Sequence, residues 1–474
     1  MTHYDLIVIG AGSGNTIVDD RFDDRRVAIV EKGPFGGTCL NRGCIPSKMF
    51  IYVADLAESA RRGPALGLPT EVGRADWTAI RDRIFARIDD NAESGRDYRE
   101  DADNVDVLVG EARFVGERRL VVDLADGGTA EITADQVVLA SGSRPVVPPI
   151  DGLDDVPHET SDTIMRIPEL PARLGVIGGG YVGCELAHVF AAYGSEVVQV
   201  ESADRLLSTQ DADIAAHFTR GAQQRYDVRL GTKVERVSRT AGGAVTLHLD
   251  DGSEAEVDVL LVAVGRRPNS DLLEVDKAGV ETDDKGLVVV DQHQRTTAPG
   301  VWALGDASSH EPLKHVANQD ARVVQANLLA TYSGSSELVT SDHDVVPQAV
   351  FAHPQVAAVG LTEAEAREEH GDHDVVVARH DVADVAYGWA LAGDLDDDPE
   401  AAGFVKLVAL RSTGRLVGAH LVGPMASVLV QPLIQAMVHD LPVKGLARSQ
   451  YWIHPSLAEV VENALIGLES ALED

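Results

Sequence analysis

An α/β protein is expected, with two Rossmann-like three-layer domains, each able to hold a dinucleotide, and a C-terminal α+β domain. Three observations predict it. A glycine-rich turn between strand and helix occurs twice, a strand–turn–strand pattern ending in Gly-x-Arg-Pro occurs twice, and the texture of the chain changes from about residue 345.

A chain of 474 residues is too long for one ordinary core, so three domains of roughly 100 to 200 residues each are expected. Hydrophobic residues make up 44% and charged residues 25%, a globular balance. The formal net charge of −35 opposes binding to nucleic acid or to an anionic membrane and describes a heavily solvated acidic surface. Leu6 to Ile9 is too short for a signal peptide or a membrane span, so a cytoplasmic protein is expected. Three cysteines exclude a disulfide scaffold and leave redox or metal chemistry for any close pair.

Tyr4 to Ile9 reads as a buried strand, followed by Gly10-Ala11-Gly12-Ser13-Gly14-Asn15 and then a helix; the next strand, Arg26 to Val30, ends in Glu31. This order is a dinucleotide fingerprint. The glycines permit a tight turn and close approach of a pyrophosphate, the helix N-terminus attracts the phosphates, and a carboxylate about twenty residues on accepts from a ribose hydroxyl. Asn15 stands where a third glycine is usual, so its side chain must fit where helix and strand pack closest.

Cys39 and Cys44 come next, entered through Gly36-Gly37 and left through Pro46. Their spacing can close a small disulfide ring, and a redox pair fits it better than zinc, which would need further ligands at short spacing. Ser47 to Arg61 reads as a helix. It places Cys44 near a helix N-terminus with Lys48 close by, and both features favour thiolate over thiol. Lysines number only eight in the chain. A second helix, capped by Asp76, carries a core stripe of Trp77, Ile80, Ile84 and Ile88.

Leu120 to Asp126, the Gly127-Gly128 turn and Val137 to Pro145 form a hairpin and a buried strand; Val245 to Asp251, the Gly252 turn and Val259 to Pro268 repeat that grammar. The repetition implies an internal duplication. Between the copies, Leu174 to Ile177, Gly178-Gly179-Gly180-Tyr181-Val182-Gly183, a helix to about Tyr193 and a strand ending in Glu201 make a second fingerprint with all three glycines. Glu201 favours NADH, because a carboxylate repels the 2′-phosphate of NADPH, although Arg205 lies near in sequence. Cys184 reads as a small buried residue.

Val301 to Asp306 is a strand ending in Gly305-Asp306, and His315 to Leu329 a helix whose start could face a bound flavin. Beyond Val345 come a capping box at Thr362 to Glu365, a loop at Asp394 to Glu400, strands at Gly403 to Leu410 and Leu416 to Val422, and a helix from Gln431. Pro455 suits the first position of a last helix running to Leu472. His454 stands at its mouth, with Glu459 placed to orient the imidazole.

Two fingerprints, the Cys39–Cys44 pair, the late Gly-Asp and a C-terminal His-Pro-x-x-x-Glu together resemble the flavoprotein disulfide reductases, the pyridine nucleotide-disulfide oxidoreductase family of glutathione reductase and dihydrolipoamide dehydrogenase. The likeness covers essentially the whole chain. Ser94 to Arg99, Thr160 to Ile167, Leu313 to Asn318, Asp384 to Ala390 and Gln450 to Pro455 lie outside the shared catalytic motifs and are similar to one subgroup, which reduces the disulfide of an acylated inositol-glucosamine thiol. Dihydrolipoamide dehydrogenase is the rival reading, and a flavin-binding sensor or complex subunit without turnover is the reading from another class.

The resemblance implies a homodimer with an active site shared between subunits, a small-molecule disulfide substrate, and no nucleic-acid or membrane partner. It implies FAD and NADH or NADPH, and no metal. Residues 1–150 and 276–344 would bind FAD, 151–275 NAD(P)H, and 345–474 the second subunit. FAD would be held by Gly10, Gly12, Ser13, Gly14, Asn15, Glu31 and Lys32, by Gly37, Thr38 and Lys48, by Ser141 and Gly142, and by Gly305, Asp306 and His315. NAD(P)H would be held by Gly178, Gly180, Tyr181, Val182, Gly183, Glu201 and Gly265. Cys44 would take electrons from the flavin side, Cys39 would attack the substrate disulfide, His454 of the second subunit would protonate the leaving thiolate while held by Glu459, and Lys48 and Glu185 would pair beside the flavin.

Overall fold

The computed structural model describes residues 1–392 and 402–473; the loop expected at Asp394 to Glu400 lies outside the described residues. Two units divide the chain. The first takes residues 1–47, 79–146 and 265–343, and the second takes 48–78, 147–264 and 344–474. The first six α-helices in chain order are α1 (Gly37–Asn41), α2 (Cys44–Arg62), α3 (Trp77–Glu100), α4 (Tyr181–Tyr193), α5 (Ala212–Gln223) and α6 (Lys314–Ser333).

The first unit is built on β1 (Thr2–Ile9), β2 (Val27–Glu31), β3 (Val105–Gly116), β4 (Arg119–Leu124) and β5 (Thr129–Leu139), joined in a six-stranded sheet by Val301–Ala303. β1 lies parallel between β2 and β5, so Ile7 sits opposite both Ala28 and Val137. Leu6, Ile7 and Val8 are all fully buried, because both faces of a parallel sheet are covered and its strands read as unbroken apolar runs.

No α-helix succeeds the first glycine loop, contrary to expectation. Two short 3-10 turns, Gly14–Thr16 and Asp20–Phe22, carry the chain back to β2. The sequence explains why. Thr16, Ile17 and Val18 are β-branched and lose side-chain freedom in a helix, and the carboxylate of Asp19 accepts from the Arg21 N–H at 3.1 Å, capping the second turn.

The two Gly-x-Arg-Pro endings pair with each other. Ser143–Pro145 and Arg266–Pro268 form an antiparallel two-stranded ladder, with Arg266 opposite Pro145 and Pro268 opposite Ser143, and the Val146 N–H donates to the Gly265 carbonyl at 2.9 Å.

The second unit contains a five-stranded sheet in which Arg173–Ile177 lies parallel between Glu196–Val200 and Val259–Val262. α4 leaves the end of Arg173–Ile177. A separate five-stranded antiparallel sheet carries Phe404–Leu410 and Arg415–Gly423. Lys406, buried, joins that sheet to the start of α5 through Asp211 at 2.9 Å and Asp213 at 2.6 Å, with Glu363 at 2.7 Å. The capping box at Thr362 and Glu365 is present on helix Glu363–His370. The last helix, however, spans Ala458–Glu473, so Pro455 lies ahead of it in a cis peptide with His454 instead of opening it. Among the described residues no helix is long and apolar enough to cross a membrane.

Candidate functional site

Cys39 lies within α1 and Cys44 is the first residue of α2. Gly36 and Gly37 enter α1 with φ of 95° and 63°, values an L side chain resists, so the glycine pair ahead of the cysteines is a backbone requirement. Both cysteines are thiols here. The Cys39 thiol is held well above its ordinary range, first by its hydrogen bond to Cys44, then by burial and by negative charge on Cys44; Lys314 and the Ile45 N–H oppose this. Within a single chain Cys44 is the exposed thiol and Cys39 the half-buried one, so exposure does not by itself assign the attacking sulfur.

Around the first glycine loop, Glu31 is engaged by backbone: its carboxylate oxygens accept from the Ala11 N–H at 2.7 Å and the Gly33 N–H at 2.8 Å. Gly10 has φ +104°, and a Cβ on Gly37 would stand 2.7 Å from the Gly12 Cα. The Ser13 hydroxyl accepts from Lys314 Nζ at 2.7 Å and donates to Asn318 Oδ1 at 3.3 Å, both on α6. Asn15 Oδ1 accepts from the Nε–H of Arg99, whose guanidinium also donates to the Asn15 and Val18 carbonyls at 2.5 and 2.8 Å.

The other residues expected at a flavin come from four separate stretches of the chain. Asp306 accepts from the Ser143 hydroxyl at 2.5 Å, and Ser143 in turn accepts from Arg266 Nε at 2.9 Å. Asp320 accepts from the Gly305 N–H at 3.3 Å. Gly142 has φ +65°, Thr38 lies in α1, His315 is exposed on α6, and Lys32 pairs with Glu111 at 3.2 Å on the surface. The Ser141 hydroxyl is buried without a hydrogen-bond partner. A buried orphan donor, a backbone cradle that any Cβ would fill and a carboxylate fixed at the strand end together fit a dinucleotide.

In the second unit, Gly180 caps α4 with Tyr181 as the first helical residue and Val182 next. Gly178 has φ +114°, and a Cβ on Gly183 would stand 2.3 Å from the Gly178 carbonyl oxygen. The Glu201 carboxylate accepts from the N–H groups of Gly179 and Ala203. Arg205 is paired with Asp204 at 2.8 Å. Cys184 is fully buried, its thiol donating to the Gly179 carbonyl at 3.3 Å. Gly265, expected to serve this nucleotide, belongs to the first unit.

Lys48, one turn beyond Cys44 on α2, reaches both oxygens of the buried Glu185 at 2.7 and 2.6 Å, and Glu185 also accepts from the Phe351 N–H at 2.9 Å. His454 Nδ1 lies 2.6 Å from Glu459 Oε1 with the imidazole 75% exposed. That hydrogen bond, followed by one from the Ser456 N–H, holds the Glu459 carboxyl below its usual range, so a charged carboxylate orients a ring presented to solvent.

Two nucleotide loops, a close thiol pair and an antiparallel C-terminal domain define an oxidoreductase working on disulfides. Residues 4–321 match the pyridine nucleotide-disulphide oxidoreductases, and residues 346–465 match the dimerisation domain of the same group. The chain belongs to this family: it is an FAD-dependent enzyme using a pyridine nucleotide, and its dimerisation domain supports a homodimer. It is 47% identical over 473 residues to a mycothione reductase of Mycobacterium tuberculosis, covering 99% of this chain and 100% of that one. It is 35% identical to a dihydrolipoyl dehydrogenase of Haloferax volcanii, with 98% and 97% covered, and 33% identical to a glutathione reductase of Burkholderia cepacia, with 96% and 97% covered. Among solved structures, a Cu(II) complex of the HOCl-induced flavoprotein disulfide reductase RclA of Escherichia coli superposes with a TM-score of 0.85 at 29% identity, covering 98% of this chain and 99% of that one.

Arg99 and Lys314 are the residues that reasoning from sequence alone missed. A buried arginine on a long charged helix reads as surface, and a lysine before His315 reads as a helix start. Both fall in stretches that resemble one subgroup, Ser94 to Arg99 and Leu313 to Asn318, but that resemblance assigned them no role.

Proposed function

We propose that the chain reduces mycothione, the disulfide of an acylated inositol-glucosamine thiol, using a reduced pyridine nucleotide in the cytoplasm. The observation that carries this reading is the 47% identity to a mycothione reductase over essentially the full length, against 35% and 33% for the dihydrolipoyl dehydrogenase and glutathione reductase relatives. In this reading residues 1–150 and 276–344 form the FAD-binding domain, 151–275 the NAD(P)H-binding domain and 345–474 the interface.

Bound FAD supplies a two-electron relay between the reduced nucleotide and the thiol pair. The thiolate of Cys39 attacks one sulfur of mycothione, forming a mixed disulfide and expelling a mycothiol thiolate. His454, contributed by the second subunit and oriented by Glu459, gives that thiolate its proton, which it needs near neutral pH because an ordinary thiol has a pKa of about 8.5. Cys44 then attacks Cys39, releasing the second mycothiol and closing the Cys39–Cys44 disulfide. Lys48, ion-paired with Glu185, holds its ammonium on the helix one turn beyond Cys44. The engagement of Arg205 with Asp204 and the fixed carboxylate of Glu201 favour NADH.

The same carboxylate supports dihydrolipoamide dehydrogenase as the second reading, since an acid at this position suits an NAD-linked enzyme. Steady-state kcat/KM on mycothione, lipoamide and glutathione disulfide, each with NADH and NADPH, decides between them. Mycothione with NADH is expected to be fastest; a preference for lipoamide sinks the first reading. Cys39→Ser is expected to lower disulfide turnover by at least about a thousandfold with FAD retained, and His454→Ala to slow disulfide turnover while leaving flavin reduction in stopped flow unchanged. Equal slowing of both steps would make His454 structural.

A further inference from the structure

The first glycine loop lacks what a dinucleotide loop ordinarily offers a pyrophosphate, the N-terminus of a succeeding helix, worth about half a positive charge. Gly14 instead opens a single 3-10 turn that ends at Thr16. In a chain of net charge −35, a dianion in an uncompensated loop is strongly disfavoured. Two cations from elsewhere in the chain reach this loop. Arg99, on α3 and only 6% exposed, spreads its guanidinium over the Asn15 side chain and the Asn15 and Val18 carbonyls. Lys314, at the start of α6, donates to the Ser13 hydroxyl at 2.7 Å. Two carboxylates of the same stretch of chain are engaged otherwise: Glu31 by the Ala11 and Gly33 N–H groups, and Asp19 by Arg21 at 2.6 Å and Gln325 at 3.0 Å.

The carbonyl contacts are the more informative half. In a helix the Asn15 and Val18 carbonyls would accept from N–H groups one turn on; here Arg99 serves them. We propose that Arg99 and Lys314 together replace the missing helix, Arg99 as a positioning residue that holds the loop's carbonyls away from the ligand and Lys314 as a cation at the loop, so that the loop can accept the pyrophosphate of FAD. This rests on the reading that the first loop takes FAD and the second the pyridine nucleotide.

The test is FAD binding to apoprotein, monitored by quenching of flavin fluorescence, with ADP and adenosine as competitors. Arg99→Met is expected to weaken FAD and ADP binding by about 100-fold and Lys314→Gln by about 10-fold, as for lost charge-assisted hydrogen bonds. Adenosine, which lacks the pyrophosphate, should lose far less in both variants, and Arg99→Lys should recover part of the ADP affinity. NADH affinity, measured alongside, should hold and shows that the variants are folded. Equal losses for ADP and adenosine, or no loss in either variant, would overturn the proposal. Gly12→Glu separates the role of the two cations from the assignment of the loop. FAD loss in Gly12→Glu with full binding in Arg99→Met and Lys314→Gln overturns the role of the two cations, whereas FAD retention in Gly12→Glu overturns the assignment of FAD to this loop.

Discussion

In the second glycine loop a Cβ on Gly183, the third residue of a 13-residue helix, would stand 2.3 Å from the Gly178 carbonyl oxygen. In the first loop the matching position is Asn15 and no helix forms; there the close approach at the end of the loop falls one residue back, at Gly14, whose Cβ would stand 2.6 Å from the Ala140 Cβ and 2.9 Å from Val8 Cγ1. The third glycine of the motif thus encodes a closest approach between the turn and its neighbouring strands. Where the chain does not turn into a helix, that approach falls at a different residue, and the usual position is free to carry a side chain that does something else.

The largest expected effect lies in the second loop. Gly183→Val drives a branched side chain into a backbone oxygen that cannot move aside, so NAD(P)H affinity should fall by at least about 100-fold while FAD stays bound. Nucleotide titration by fluorescence checks it, and a wild-type affinity would break the comparison. The first loop should show the shifted order: Gly14→Ala weakens FAD binding more than Asn15→Ala, the latter by about 10-fold through the lost hydrogen bond from Arg99. If Asn15→Ala proves the more damaging, the packing has not moved.

The smallest effect concerns α4, the helix that only the second loop has. His188, on α4, is buried, with Arg225 donating to its Nδ1 at 2.9 Å and its Nε2 lying 3.0 Å from Asp55. It stacks on His353. Burial, and then the charge of Arg225, pushes His188 down to about 3 and His353 down to about 4, against an unfolded value of 6.5. Both rings are neutral in the fold, so their contribution is whole above pH 6.5 and is lost as the unfolded chain takes up protons between 6.5 and about 4. Asp55 acts oppositely: burial raises it to about 6, so the folded state gains its proton first and offsets part of the loss. The melting temperature should therefore fall modestly from about pH 7 to about pH 5, and His353→Phe should flatten that slope. An unchanged slope would show that the pair does not set it.

Much of this was legible in the sequence because it is local. Parallel strands announce themselves as apolar runs such as Leu6 to Ile9, and the capping box at Thr362 needs only four residues. The cysteine pair, Glu31 and Glu201 stand at fixed distances from glycines. The helix expected after Gly14 rests on the motif and runs against the propensities of Thr16, Ile17 and Val18, and the propensities won. Arg99 was out of reach, because its value lies in carbonyls left over by a helix that does not form, more than eighty residues earlier in the chain. Pro455 carried a real preference for a helix start, but the hydrogen bonds of Glu459 to His454 and to the Ser456 N–H occupy that turn.

The ladder between Ser143–Pro145 and Arg266–Pro268 also sets a schedule. As the chain leaves the ribosome, β5 can pair with β1 along Val137 to Leu139 on one edge, but its other edge, which Val301–Ala303 later covers, stays open while everything between residues 147 and 264 is made. An open parallel edge is an aggregation hazard for that interval. Once Arg266 arrives, the ladder brings both ends of the inserted stretch together and shortens the loop still to be closed before Asp306 meets Ser143. The duplicated arginine-proline endings are, in time, a clasp that lets a long interruption be tolerated in the middle of the first unit.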